Sequence, residues 1–470
     1  MEKSVARTKN YKTIYLCALA LSFVYLFLPL NAQQPQPQNT LALADEAWAN
    51  PTQEPDVWLT IFVHGIISIK PHITVSNFMR FLTDNVRDSI YGETVQIMRD
   101  DPFFYQTQTM QGRGLHPIDL ENHTRGAAAS LMANLFEQME QINPVQRKKN
   151  YYYTYGWSGL LSRTARYGDA KEFLQALEHE VEKFRAQGIN PKLRLIGYSH
   201  GGTIIMKTAL VKQRENLNTS VSIDEVLLFG TPIQYETDYL IHDPMFKKVY
   251  NFFSRSDRVQ RLDFFSCGAF FSDQVFRAHA DFDLPDKLIQ IELKVIRKIC
   301  ETKKCICITD AQQPLLYNGR RRSRSLRNVS PGHSELWFFG WTALHYRPTF
   351  PLYPLPIVAF TPYILNTLKP LEHNFYPDKP IVVTIDPRRD SMIITNKLPC
   401  DCQIFKFPFV GMQNMIYFIE QAFSYEPDPA IFNADTYNDH INQALEEAFV
   451  TFKARKCKVH DEHLIQYVLE

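Results

Sequence analysis

The chain has 470 residues, 45% of them hydrophobic and 21% charged. That length exceeds one ordinary core, and the composition excludes intrinsic disorder and coiled coil. Lys and Arg number 51 against 50 Asp and Glu, so no concentrated positive field exists of the kind phosphate backbones need, and nucleic acid is not an expected partner.

Lys3, Arg7, Lys9 and Lys12 precede the charge-free, mostly apolar run Ile14–Leu28, which closes on Pro29, Leu30, Asn31 and Ala32. A basic segment, an apolar core and a small closing residue make an export signal over residues 1–32. The run approaches the short end for a membrane span, so the segment is either cleaved or kept as an anchor that ties the protein to a membrane. Both outcomes put the bulk of the chain outside the cytoplasm. Gln33–Gln38 (QQPQPQ) opens an extended linker over residues 33–55.

From Asp56 onward, β-rich apolar runs alternate with helical patterns. Val57–Val63 is a buried-strand run stopped by His64-Gly65. Between it and Tyr151 lies a long segment with Phe103-Phe104-Tyr105, Met110, Gly112 and Gly114. Two readings stay open for that segment: a hinged lid over an apolar pocket, or one strand and one helix of the sheet. Tyr151–Tyr155 is a further strand, and Ala170–Gln187 carries Phe173, Leu174, Leu177, Val181 and Phe184 at helical spacing. Leu193–Ile196 reads as a strand, Thr203–Lys212 as a helix, and Ile223–Leu228 and Lys248–Ser254 as strands. This rhythm predicts an α/β fold with a mostly parallel sheet and helices on both faces, over residues 56–347. RRRSRS at 320–325 reads as a solvated loop, and Leu336–Trp341 as an apolar, helix-like run. Pro348, Pro351, Pro354 and Pro356 mark a boundary. Beyond it, residues 348–470 are expected to form a small α+β appendage, with a hairpin of Ile381–Ile385 and Met392–Ile394 and an amphipathic helix over Asn433–Lys456.

Eight cysteines are present, Cys17 within the export signal. The pairs Cys305/Cys307 and Cys400/Cys402 allow a four-thiolate metal site, but exported chains usually oxidise paired thiols, so disulfides are the expectation for Cys267, Cys300, Cys305, Cys307, Cys400, Cys402 and Cys457, with one thiol left over.

Parallel sheets place their sites at the carboxyl ends of the strands, and three pieces of punctuation fall there. In RLIGYSHGGTIIM, Ser199 stands between a strand and a helix with Gly197 and Gly201 two residues to either side. Small residues are needed there because a sharp strand-to-helix turn brings backbones together. Gly65 allows the chain after the first strand to turn its next N–H toward a substrate, so the backbone N–H groups of Ile66 and His200 are the candidate oxyanion donors. His64 braces that loop. Asp257 follows the Lys248–Ser254 strand and is the candidate acid, with Asp263 and Asp273 as rivals. His333, in the loop Ser330–Ser334, is the candidate base among His279, His333, His345, His373, His440, His460 and His463.

These pieces, IFVHG at 61–65, GYSHGG at 197–202, FSRSDRV at 253–259 and PGHSEL at 331–336, resemble an α/β-hydrolase of the lipase or serine-esterase kind over about Asp56–Arg347. The resemblance implies a Ser199–His333–Asp257 triad cleaving an ester through an acyl-enzyme, with no metal or organic cofactor. His64-Gly65 is followed by Ile66-Ile67, so the oxyanion turn departs from the HGGG form. Tyr239–Ile241 and Phe264–Phe271 add apolar surface near the expected mouth and favour lipid or other apolar esters. An amidase, peptidase or thioesterase on the same fold, and a non-catalytic surface-binding protein, are the alternatives.

Overall fold

The computed structural model describes residues 56–67, 84, 86–142, 148–257, 259–261, 272–280, 282–299, 306–307, 315–317, 320–322, 327–341, 352–386, 391–397, 402–408 and 415–469. The segments expected to be an export signal (1–32) and a Gln/Pro linker (33–55) lie outside these. In chain order the elements are β1 (Asp56–Val63), α1 (Ile90–Asp100), β2 (Gly114–Pro117), α2 (Ala128–Ile142), β3 (Lys148–Gly156), α3 (Arg163–Arg185), β4 (Lys192–Tyr198), α4 (His200–Arg214), β5 (Glu225–Phe229), β6 (Val249–Phe253) and β7 (Leu288–Ile299). Four short strands follow: β8 (Ile306–Cys307), β9 (Leu315–Tyr317), β10 (Arg320–Arg322) and β11 (Arg327–Val329). The remainder is α5 (Thr361–Leu368), β12 (Ile381–Asp386), β13 (Ser391–Lys397), β14 (Cys402–Pro408), α6 (Met415–Ser424) and α7 (Ala434–Leu469).

The main sheet runs β14-β13-β12-β7-β6-β5-β4-β1-β3-β2. From β12 to β3 every neighbouring pair is parallel. Antiparallel strands close both edges, β2 against β3 and β13 and β14 beyond β12. The protein is thus α/β with a mostly parallel sheet, as the strand–helix rhythm predicts. Alternate residues of each strand feed two cores. Phe62, Ile196, Tyr198, Leu227 and Phe229 pack with α2 and α5. Leu59, Ile61, Leu195, Val226 and Leu228 pack with α3 and α4 on the opposite face. A strand buried on both faces reads as a continuous apolar run, which is why VWLTIFV and KLRLIGY are recognisable.

Three expectations are corrected. Residues after 348 are no separate appendage: β12 pairs in parallel with β7, its hairpin partner β13 carries the same sheet on to β14, and Glu54–Glu470 form one compact unit. Leu352, Leu355, Ile357 and Val358, between and after the prolines, are buried in the core that α2 and α5 cover. RRRSRS at 320–325 begins as a strand, β10, paired with β9. The helix-like run after His333 has only a 3₁₀ turn, Ser334–Leu336, because Trp337, Phe339 and Trp341 are drawn singly into the core.

The long segment before Tyr151 contributes α1, a 3₁₀ turn at Pro102–Thr107, β2 and α2. Phe103 and Phe104 are buried there, against Phe432 just before α7 and Tyr437 in its first turn. The described part of the segment thus holds one strand and two helices, and its Phe103-Phe104-Tyr105 run lies in the 3₁₀ turn. Tyr437, Ile441, Ala444 and Ala448 line the inner stripe of α7, at the spacing of a half-buried helix.

Candidate active site

Ser199 sits between β4 and α4 with φ 51° and ψ −129°. That left-handed backbone is costly for a non-glycine residue and persists only where surrounding packing enforces it. The neighbours enforce it by leaving no room. A Cβ on Gly197 would lie 2.5 Å from Gly202 Cα, and one on Gly201 would lie 2.3 Å from the Val63 carbonyl oxygen and 2.4 Å from that of His64. The elbow is therefore wedged against the end of β1. Gly201→Ala is expected to lower the unfolding free energy by about 1–3 kcal/mol, read in a urea titration, because backbone rather than a flexible side chain would have to move.

His333 and Asp257 meet this serine. His333 Nε2 lies 3.1 Å from Ser199 Oγ, and His333 Nδ1 lies 2.6 Å from Asp257 Oδ2. A carboxylate only accepts, so Nδ1 carries the proton and Nε2 faces the hydroxyl as acceptor. Asp257 is fully buried, and its other oxygen accepts the Gln260 N–H at 3.0 Å. Gln274 Nε2 donates to the carbonyls of Ser254 and Asp257 at 2.8 and 2.6 Å, fixing the loop that carries the acid. Gly230 completes the fit: its φ is +58°, and a Cβ there would crowd Asp257 Oδ2 at 2.9 Å and His333 Nδ1 at 3.1 Å.

The rivals are engaged elsewhere. Asp273 pairs with Arg277 at 2.6 Å, His279 with Asp238 at 3.2 Å, and His440 with Asp101 at 2.8 Å while stacking on Phe103. Asp263, His345 and the apolar stretch Phe264–Phe271 lie outside the described residues, as do the side chains of His373, His460 and His463.

His64 is buried, and burial first of all brings its imidazole down to about 4, against a hydrogen bond to the Gly65 carbonyl that favours the charged form. It is therefore neutral at neutral pH. Trp157 N donates to its Nε2 at 3.3 Å, so the proton lies on Nδ1, which donates to the Gly65 carbonyl at 2.6 Å. Trp157 Nε1 donates to the His64 carbonyl at 2.7 Å, and Ile67 N to the Gly159 carbonyl at 3.4 Å. The turn carrying Ile66 is thus braced against the loop after β3. It also borders the serine, since a Cβ on Gly65 would stand 3.1 Å from Ser199 Cβ. His200 opens α4, where backbone N–H groups lack intrahelical acceptors and the helix end is electropositive; its ring turns toward Arg166.

Among the described residues no cluster of three or more His, Cys, Asp or Glu could hold a metal ion. Of the two Cys-x-Cys motifs, the backbones of Cys307 and Cys402 lie among the described residues, at levels of the sheet near opposite ends of β7. Cys307 pairs with Lys298 near the end of β7, whereas Cys402 pairs with Lys397, past the Thr395–Val382 pair that aligns with Glu292 near the start of β7. At about 3.3 Å per residue the two backbones are about 20 Å apart or more. Cys267, Cys300, Cys305 and Cys400, and the side chains of Cys307, Cys402 and Cys457, lie outside the described residues.

No family model, no curated protein and no solved structure matches this chain. Among the described residues no helix is long and apolar enough to cross a membrane.

Proposed function

We propose that this protein is an exported serine hydrolase of the α/β-hydrolase kind, cleaving carboxylic esters through an acyl-enzyme. The observation that carries the reading is the unbroken chain Ser199 Oγ–His333–Asp257, with contacts of 3.1 and 2.6 Å, at the carboxyl rim of a parallel sheet. A serine hydroxyl is a weak nucleophile at neutral pH, and an imidazole within hydrogen-bond reach activates it. Ser199 Oγ attacks the acyl carbon while its proton passes to His333 Nε2. The Ile66 and His200 N–H groups receive the negative charge that develops on the acyl oxygen. His333 returns the proton to the leaving alcohol as the carbon–oxygen bond breaks, and water then repeats the sequence on the acyl-enzyme. Asp257 holds the ring in the required tautomer and stabilises the imidazolium.

Apolar or lipid esters are the favoured substrates. Tyr235, Tyr239 and Val259, exposed by 63%, 42% and 52%, lie on the loops that follow β5 and β6, the strands leading to Gly230 and Asp257. Aromatic and aliphatic surface on such a rim suits an acyl chain better than a polar one.

A fluorophosphonate probe is expected to label the full chain once, and Ser199→Ala to abolish the label. A panel of p-nitrophenyl esters of rising chain length, set against amide analogues, reads the acyl preference. An unlabelled parent protein, or label persisting in Ser199→Ala, would overturn the reading.

A further inference from the structure

The oxyanion turn, the nucleophile and the base come from three distant parts of the chain, after β1, after β4 and after β11, and one side chain touches all of them. Tyr198 immediately precedes Ser199 and is 3% exposed. Its hydroxyl donates to the His333 carbonyl at 3.2 Å, and its ring lies 4.8 Å from the His333 ring at a tilt of 33°. The same ring stacks on Trp337 at 5.3 Å and 7°, and meets Phe338 edge-on at 5.8 Å. On the oxyanion side, a Cβ on Gly65 would stand 2.9 Å from Tyr198 Cδ1 and 3.0 Å from Cε1, so the turn rests directly on the phenol ring.

We infer that Tyr198 is a positioning residue that sets the oxyanion turn, Ser199 and His333 in register with one another. This rests on the serine-hydrolase reading above and extends it to a residue that does no chemistry. The other ties on the base loop are short-range or hold only one side of it. The Gly332 N–H donates to Glu335 Oε2 at 2.7 Å, the Leu336 N–H to the His333 carbonyl at 3.2 Å, and Ser254 Oγ to the Pro331 carbonyl. None of them reaches the elbow. Besides the His333–Ser199 contact itself, Tyr198 ties the base loop to the elbow that carries the nucleophile. Burial, with the Asp257 charge adding to it, holds its phenol protonated and therefore a donor. A rigid aromatic plate suits this role, because it fixes distance with few rotatable bonds, and a displacement of about 1 Å in a reacting group costs about a hundredfold in rate.

The test compares Tyr198→Phe, which removes only the hydroxyl, with Tyr198→Leu, which removes the plate. Turnover is expressed per active site by fluorophosphonate titration, and melting temperature is read in parallel. Tyr198→Phe leaves the His333 carbonyl bonded to the Leu336 N–H, so the fold should persist. Its kcat per titrated site is expected to fall about threefold to tenfold with KM unchanged. In Tyr198→Leu the fall is expected to exceed about a hundredfold, and a smaller loss than in Tyr198→Phe would contradict the inference. A merely structural role would lower the titratable fraction and the melting temperature while leaving kcat per site at the parent value in both variants, and that result overturns the inference. Should Tyr198→Leu not fold, kcat per site in Tyr198→Phe decides alone. An unlabelled parent protein would sink the hydrolase reading itself, whereas a labelled parent with unchanged variants sinks only the role of Tyr198.

Discussion

Replacing Asp257 by asparagine is expected to lower kcat/KM about 10,000-fold with the fold retained, the scale on which an orienting acid acts in a Ser–His–Asp constellation. The cause is tautomeric rather than steric. In the parent, Asp257 Oδ2 accepts from His333 Nδ1 at 2.6 Å, which leaves Nε2 without a proton and able to receive that of Ser199 at 3.1 Å. An asparagine amide in the same place can turn its NH₂ toward Nδ1. The ring proton then moves to Nε2, which can no longer act as base. Stability should not suffer, because asparagine Oδ1 can still accept the Gln260 N–H that Asp257 Oδ1 accepts at 3.0 Å, and a fully buried charge is removed. Steady-state kinetics on the titrated protein, beside a thermal melt, check both halves. A loss smaller than about tenfold would show that another group orients the imidazole.

The parts of this site that were legible from sequence share one property: each is punctuated locally. Ser199 is bracketed by glycines between a strand and a helix, Asp257 follows an apolar run directly, and His333 sits in a Ser-Pro-Gly-His loop. Such signals arise within a few residues and survive without knowledge of the fold. What holds these residues together was not legible. Tyr198 and the His333 carbonyl it binds are 135 positions apart, Trp157 and His64 are 93 apart, and Gln274 reaches back 17 to Asp257. Nothing in local pattern or period announces such pairs. The same limit applies to the fold. Strands buried on both faces stand out as apolar runs, whereas β7, LIQIELKVIRKI, alternates Gln290, Glu292 and Lys294 with apolar residues and looks half-exposed. Its Glu292 is in fact buried, within 3.1 Å of Arg255 and Lys294. The proline-rich stretch after 348 imitates a linker because a buried turn with prolines, such as Leu352–Pro354, shares its composition with a domain boundary.

Arg194→Met is expected to lower the unfolding free energy by about 3–5 kcal/mol, the cost of removing one partner from a buried charge network. On the face of the sheet covered by α2 and α5, at the end remote from Ser199, Arg194 donates from Nη1 to Glu140 and from Nε to Glu225, each at 2.6 Å. All three side chains are almost wholly buried, at 1%, 4% and 6% exposure. Lys148 joins Glu140 at 2.5 Å and Lys369 joins Glu225 at 2.7 Å, while the guanidinium lies 4.9 Å from the centre of the Trp58 ring. Losing the arginine leaves two carboxylates in the interior with one lysine each. Replacing Glu140 and Glu225 by glutamine in the same chain should restore much of the loss, because no unmatched charge then remains. The acid limb of stability supplies an independent reading. Burial alone would raise the Glu225 carboxyl, but the charges of Arg194 and Lys369 overcome it and bring it from 4.5 down to about 2. Since the folded value lies below the unfolded one, this group's contribution is fully present above about pH 4.5 and is lost as pH falls toward about 2. Glu140 is shifted the same way by Arg194 and Lys148 against its own burial. In Arg194→Met the fall in stability across that acid window should therefore flatten, measured as denaturation midpoints at successive pH values. A variant whose acid limb stays as steep as the parent's would show that the lysines, not the arginine, hold these carboxylates ionised.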